Sequence, residues 1–383
     1  MNIKEVKINV EPISIYERNK IMIRINPRER FLKTMKFGNP DRVVYWEDTY
    51  WYESTLKRWR KEGLQKDIDP WHYFAFDPKK EVQVDAGFIP SFKKKIIFED
   101  NVYITMSNAA GIVSRYRKDM PLPAMPQFID FPVKKKEDFT ALKKRLNSNN
   151  DKRYEGFNNK VPLYNEEREY PLGIRTASFF GTLREWMGTE NACMVFYDDP
   201  TWVHEMMEFI TEYYLDILKK VLGKVKLDYA WFWEDMAYKC GSFISPDMVR
   251  KFIMPGYKKI TSFLRENGVD IIMVDSDGNV SELIPLWLES GINCVYPMEV
   301  AAGMDVIKLR KEYGKDLLII GGIDKRELSK GKTEIDKEVI PKVSYLIEKG
   351  GYIPSIDHAI PPDISFENFC YYRNLIKKLC GDK

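Results

Sequence analysis

Eight apolar, strand-like runs, most of them followed by an amphipathic helical pattern, predict a single-domain (β/α)8 barrel, a TIM barrel. Two further observations support that class. The 383 residues suffice for one large α/β barrel. No Gly-x-Gly-x-x-Gly follows any of the runs, which argues against a doubly wound nucleotide-binding sheet.

Residues 1–25 read as an extension ahead of the fold, and the barrel is expected over 26–383. Its first helix starts at Asn26, with Pro27 in the first turn and Glu29 three residues after the cap. The first strand is expected at 42–46 (RVVYW) and the second at 82–88 (EVQVDAG). Residues 89–170 then interrupt the alternation. They carry KKKIIFEDNVYITMSNAAGIVSRYRK, which alternates as a β-hairpin does, then proline-rich MPLPAMPQFIDFP, then a lysine-rich helix. This stretch reads as an insertion of a hairpin and a helix over the barrel mouth. Strands resume at 171–178, 227–233, 270–275, 292–296, 317–321 and 351–356. Helical patterns at 246–267, 279–290, 304–313, 335–349 and 365–380 accompany the later ones.

Composition excludes several classes of function. Hydrophobic residues at 44% and charged residues at 31% fit a soluble globular chain. The longest apolar run, near LLIIGGI, is far short of the roughly 20 residues of a membrane helix. No basic-then-apolar segment opens the chain, so a cytoplasmic protein without a membrane partner is expected. A net charge of +3, from 60 basic and 57 acidic residues, gives no basic footprint for nucleic acid. The five cysteines form no Cys-x-x-Cys pair, so neither a zinc ribbon nor a disulfide framework is expected. Of the three histidines, His204 lies in an amphipathic helix and reads as structural. His72, in an aromatic loop, is open to either reading, and His358, in IPSIDHAIPPD, ends a strand.

Chemistry in such a barrel sits where the strands end. Those ends carry Trp46, Glu47 and Asp48; Asp85; Trp231, Trp233, Glu234 and Asp235; Asp275 and Asp277; Glu299; Asp324 and Lys325; Asp357 and His358. The rim is therefore acidic and aromatic, with few positive charges. Side chains alternate along a strand, so Asp275 and Asp277 leave its end on the same side. Two like charges held together need a cation, a proton or a substrate to answer them. Any single carboxylate reads equally well as a helix cap or an ion-pair partner, Asp324 with Arg326 or Lys325 above all. Trp46, Trp51, Trp231 and Trp233 read equally as packing or as the wall of a pocket.

From Asn26 onward the chain resembles the uroporphyrinogen decarboxylase superfamily. The stretches that carry the resemblance are NPRERFLKTMKFGNPDRVVYW, EDMAYKCGSFISPDMVRKFIMPGYKK, ESGINCVYPMEVAAGMDV, GGIDKRELSKG and GGYIPSIDHAIPPD. The resemblance implies a single (β/α)8 barrel, often a homodimer. The superfamily includes haem-pathway decarboxylases and zinc methyltransferases that move methyl groups between corrinoids and thiols. The decarboxylases grip their substrate with arginines in a pattern like RQAGRY after strand one, where this chain has EDTYWYES. Asp85 matches their strand-two aspartate and His358 their late histidine, while Trp186 in GTLREWMG stands where they carry a tyrosine.

The methyltransferases of the superfamily hold zinc with His-x-Cys after strand five and a cysteine after strand eight. This chain has Asp275-Ser276-Asp277 and His358 in those places. The resemblance thus implies a metal site of Asp275, Asp277 and His358 for zinc or another divalent ion. Such a site is harder than a thiolate site and better suited to polarising an oxygen. The function it implies is a methyltransferase that demethylates a small methylated substrate, an aryl methyl ether among the candidates. The acceptor would be a cobalamin-type corrinoid on a separate protein. Glu234 or Glu299 would complete the metal shell or handle a proton, and Trp46, Trp51, Trp186, Trp231 and Trp233 would line the substrate pocket. The second reading is a metal-independent lyase using Asp85 and His358 on a different substrate. The third is a ligand-binding barrel without catalysis.

Overall fold

Runs that are apolar on both faces become strands covered on both faces, as parallel sheets require. In the computed structural model, which describes residues 25–47, 51–120 and 125–381, β1 (Lys80–Glu81) opens the main sheet. A separate antiparallel sheet follows, formed by β2 (Lys95–Glu99), β3 (Tyr103–Ser107), β4 (Val113–Arg117) and β5 (Gln127–Asp130). The main sheet resumes with β6 (Leu172–Arg175) and β7 (Tyr229–Trp233), after which β8 (Ala237–Tyr238) and β9 (Gly241–Ser242) make a small ribbon. It is completed by β10 (Ile271–Asp275), β11 (Cys294–Tyr296), β12 (Leu318–Ile320) and β13 (Tyr352–Ile353). Its seven strands are all parallel and neighbour one another in chain order. That order is what successive right-handed βα crossovers produce.

The sheet curls around its own side chains. Ile271 and Met273 of β10, Cys294 and Tyr296 of β11, and Leu318 and Ile320 of β12 point into one inner cluster. The residues between them, Ile272, Val274, Val295 and Ile319, join the outer layer beneath the helices. A strand period of two thus fills the barrel and glues its helices on at once. The outer helices include Pro200–Leu222, Met254–Glu266, Lys332–Lys349 and Phe366–Cys380. The expected segment 246–267 is helical but passes through a π turn at Val249–Ile253.

The first expected strand, 42–46, is corrected. Residues 43–47 run extended but form no strand, because side chains replace the ladder. On one side Asp77 N donates to Tyr45 O (2.9 Å), and the Asp77 carboxylate accepts from Tyr45 N (2.8 Å). On the other side the Glu47 carboxylate accepts from Ile356 N (2.9 Å) and Ser355 Oγ (2.9 Å). This stave therefore bridges the two edges of the seven-stranded sheet, just ahead of β1 and just past β13. Glu47 is 1% exposed and is also bonded by Tyr372 and by Arg373, 3.1 Å away. A buried carboxylate is tolerable here because each oxygen has partners.

The second expected strand, 82–88, is shorter and earlier than expected. Past Glu81 the chain turns out of the sheet and is held by the buried Arg153, which donates to Asp85 O and Gly87 O. The insertion also differs from the expected hairpin. QFID, inside the proline-rich stretch, pairs with β4 and makes a four-stranded meander before the expected helix, Lys136–Lys143. The expected extension, 1–25, lies outside the described residues except for Ile25.

Candidate active site

Three strand ends converge. Past β7, Asp235 takes a left-handed conformation (φ +43°), which aims its carboxylate across toward β10. Asp275 ends β10, and Asp277 follows in a turn whose glycine, Gly278, has φ +86°. One carboxylate oxygen from each of Asp235, Asp275 and Asp277 lies within 4.8 Å of the others. His358, past β13, reaches the same place, its Nε2 being 3.2 Å from Asp277 Oδ2. Asp275 and Asp277 thus meet as the sequence suggested. The compact third member is Asp235, and His358 joins the set through Asp277.

The cluster is unevenly balanced. Arg184 Nη2 lies 2.8 Å from Asp235 Oδ2 and neutralises that one carboxylate. Burial, followed by the charges of Asp235 and Asp277, drives the Asp275 carboxyl well above the usual aspartate range, against the pull of Arg175 and Lys79. Among the described residues no hydrogen bond reaches the Asp275 side chain. The positive charge at this mouth comes from Arg184, Arg175 and Lys79.

Glu234 is no part of this chemistry. It is fully buried, and its carboxylate accepts backbone N–H groups from Phe179 (2.9 Å), Phe180 (2.9 Å) and Gly181 (3.3 Å). It anchors the start of the helix Phe180–Met187, where carboxylates are stabilised by unpaired amides and the helix dipole. Glu299 positions the acidic turn, since its Oε2 accepts from Gly278 N (3.0 Å) and so holds the segment that carries Asp277.

The tryptophans separate into two groups. Trp46 is buried at 1% exposure inside the barrel, stacked on Phe31 at 4.9 Å, with its indole N–H bonded to Asp77 O. Its expected contact with substrate is therefore corrected to interior packing. Trp51 is half-buried against Trp71 and Phe76 and bridges to Ile360. Trp231 and Trp233 do face the mouth. Trp231 Nε1 donates to Glu81 Oε1 (2.8 Å), and the Arg175 guanidinium lies 5.3 Å from the Trp231 ring and 5.1 Å from that of Trp233.

Asp85 and Trp186 line a different space, a cavity of 360 Å³ beneath the 85–91 segment. A second cavity of 400 Å³ adjoins it through Ala86, Gly87, Glu185 and Tyr214 and reaches Glu81 and Arg175. Neither cavity is lined by Asp277 or His358. The groups around Arg175 are open to solvent yet crowded by protein, and their titration shows it. Burial raises the Glu81 and Glu185 carboxyls and pulls Lys79 down to about 8.

The remaining strand-end acids are structural. Asp324 pairs with Arg326 at 2.6 Å and caps the following turn. Buried Asp357 accepts from Val300 N (2.9 Å) and Lys325 N (3.2 Å). His204 packs on Phe252 at 4.6 Å, and exposed His72 pairs with Asp69 at 2.9 Å. Asp48 lies outside the described residues.

Residues 74–379 match the family model described as uroporphyrinogen decarboxylase (URO-D). The chain belongs to the uroporphyrinogen decarboxylase family. Among solved structures, a methyltransferase from Methanosarcina mazei aligns with a TM-score of 0.61, covering 93% of this chain and 100% of its own, at 12% identity. That likeness is one of fold. No curated protein matches the chain. The mouth offers a donor set of three carboxylates beside one imidazole. Oxygen ligands within 4.8 Å of one another, those of Asp275 without a hydrogen bond among the described residues, fit a hard or borderline divalent ion. Helices long and apolar enough to cross a membrane are absent among the described residues.

Proposed function

We propose that this URO-D family protein is a methyltransferase that takes a methyl group from a small methylated substrate and delivers it to a corrinoid on a partner protein. Asp235, Asp275 and Asp277 would hold zinc or another divalent ion. The observation that carries the reading is the convergence of these three carboxylates, with His358 against Asp277, at the ends of β7, β10 and β13. Family membership and the fold shared with a methyltransferase support it. A cytoplasmic homodimer and an aryl methyl ether substrate belong to the same proposal.

A divalent ion held by Asp235, Asp275 and Asp277 would supply Lewis acidity toward an ether oxygen. The chain's own residues do the rest. Arg184 fixes Asp235, and Glu299 fixes the turn behind Asp277. His358 Nε2 lies 3.2 Å from Asp277 Oδ2, and as the imidazolium His358 would donate a proton to the departing oxygen. Trp231 and Trp233 wall one side of the mouth and narrow the access of water. The lyase reading loses support because Asp85 opens into another cavity.

The test is to incubate the purified protein with cob(I)alamin and a panel of methyl ethers, following methylcobalamin spectroscopically. Methylation that Asp275→Asn abolishes is expected. No methylation with any donor after loading with zinc, manganese or cobalt would overturn the reading.

A further inference from the structure

Arg175 ends β6 at the mouth, and no ion pair or hydrogen bond engages its guanidinium among the described residues. It is exposed to the 400 Å³ cavity and held against two indoles, at 5.3 Å from Trp231 and 5.1 Å from Trp233. Trp231 is itself tied down through its bond to Glu81. Cation–π contacts at these distances use no N–H donor in a hydrogen bond, so the donors of the fork stay available. A fork of donors that no partner engages among the described residues, in a cavity lined by Glu81, Glu185 and Tyr214 as well as by Val82, Val84, Ile174 and Ile217, suits a planar oxyanion.

The same geometry disfavours a cationic ligand, because a cation already sits beside both indoles. The charged groups around Arg175 are Glu81 and Glu185 across the cavity, Asp275 on β10, Arg184 over the same Trp233 ring, and Lys79, which acts on Glu81 and Asp275. Desolvation raises both the Glu81 and the Glu185 carboxyls.

We propose that Arg175 anchors a single carboxylate of the substrate, so that the enzyme acts on small acids carrying one anionic group. This names the substrate class of the proposed methyltransferase and rests on that reading only in calling the ligand a substrate. The anion site itself stands without methyl transfer.

The test titrates the purified full-length protein with para-methoxybenzoate and with its uncharged isostere para-methoxybenzamide. Tryptophan fluorescence and calorimetry report binding. The acid should bind about tenfold more tightly or better, as one charge-assisted fork implies. Arg175→Met should erase that preference, and Arg175→Lys should retain part of it. Equal affinity for acid and amide, no binding of either, or a preference that survives in Arg175→Met overturns the proposal. If Arg175→Met fails to fold, the acid-to-amide ratio of the wild type and of Arg175→Lys still decides it. A wild type that prefers the acid yet methylates no cob(I)alamin would uphold the anion site and reject the methyltransferase.

Discussion

His358 Nε2 lies 3.2 Å from Asp277 Oδ2, so the loop after the last strand closes on the loop after β10. The pair is partly open, with side chains 29% and 37% exposed, and no core packing depends on it. His358→Ala should therefore leave the melting temperature nearly unchanged. It should lower turnover by roughly 10²-fold, the lower end for a positioned acid–base group. A variant with wild-type turnover would remove His358 from the mechanism.

Gly278 controls where Asp277 points. Its φ of +86° disfavours any side chain, and an added Cβ would stand 2.7 Å from the Ala237 carbonyl. Gly278→Ala should push the turn away and break the Glu299 bond to its amide. Expected is weaker divalent-ion binding by calorimetry, by about tenfold or more, with the fold intact by circular dichroism. Unaltered affinity would show that the turn does not set the site.

Glu234 tests the distinction between anchoring and catalysis. Burial raises its carboxyl from 4.5 to about 7, with the amide bonds pulling the other way. The folded state thus keeps a proton that the unfolded state loses between those values. Stability from this group is complete below pH 4.5 and is lost as the pH rises to about 7. Glu234→Gln cannot ionise, so its stability relative to wild type should improve from pH 5 to pH 8, by roughly 3 kcal/mol at most. Urea unfolding at both pH values measures this, and a constant difference would contradict the buried titration.

Uroporphyrinogen should not be a substrate. EDTYWYES stands where the decarboxylases carry arginines, Arg184 is occupied by Asp235, and Arg175 offers one fork. Each unpaired carboxylate buried at this mouth would cost on the order of several kcal/mol. Incubation with uroporphyrinogen should yield no coproporphyrinogen, and formation at a decarboxylase rate would show that other groups hold the carboxylates.

The strands of the second half are legible in the sequence because Ile271–Asp275 and Leu318–Ile320 are buried on both faces and are apolar almost throughout. The first stave imitates a strand because RVVYW is extended, yet it hydrogen-bonds through Asp77 and Glu47, a pairing between residues far apart in the chain. Trp46 misleads for a related reason: its neighbours suggest a strand end, whereas its ring fills the barrel. β5 is hidden by the prolines around QFID. Alternation along a strand reveals Asp275 and Asp277, but Asp235 depends on a left-handed turn after β7 that no local pattern announces. Arg175 does carry a sequence signal, a lone charge within the apolar run PLGIRTAS.

Whether Asp235, Asp275 and Asp277 hold a divalent ion decides the chemistry of the mouth. It is read from the metal content of the purified protein, by mass spectrometry after equilibration with zinc and gel filtration, for wild type and Asp275→Asn. About one ion per wild-type chain is expected, with a loss of nearly all of it in the variant and both proteins folded. A wild type that retains no ion, or a variant that retains as much as wild type, would contradict the proposed metal site.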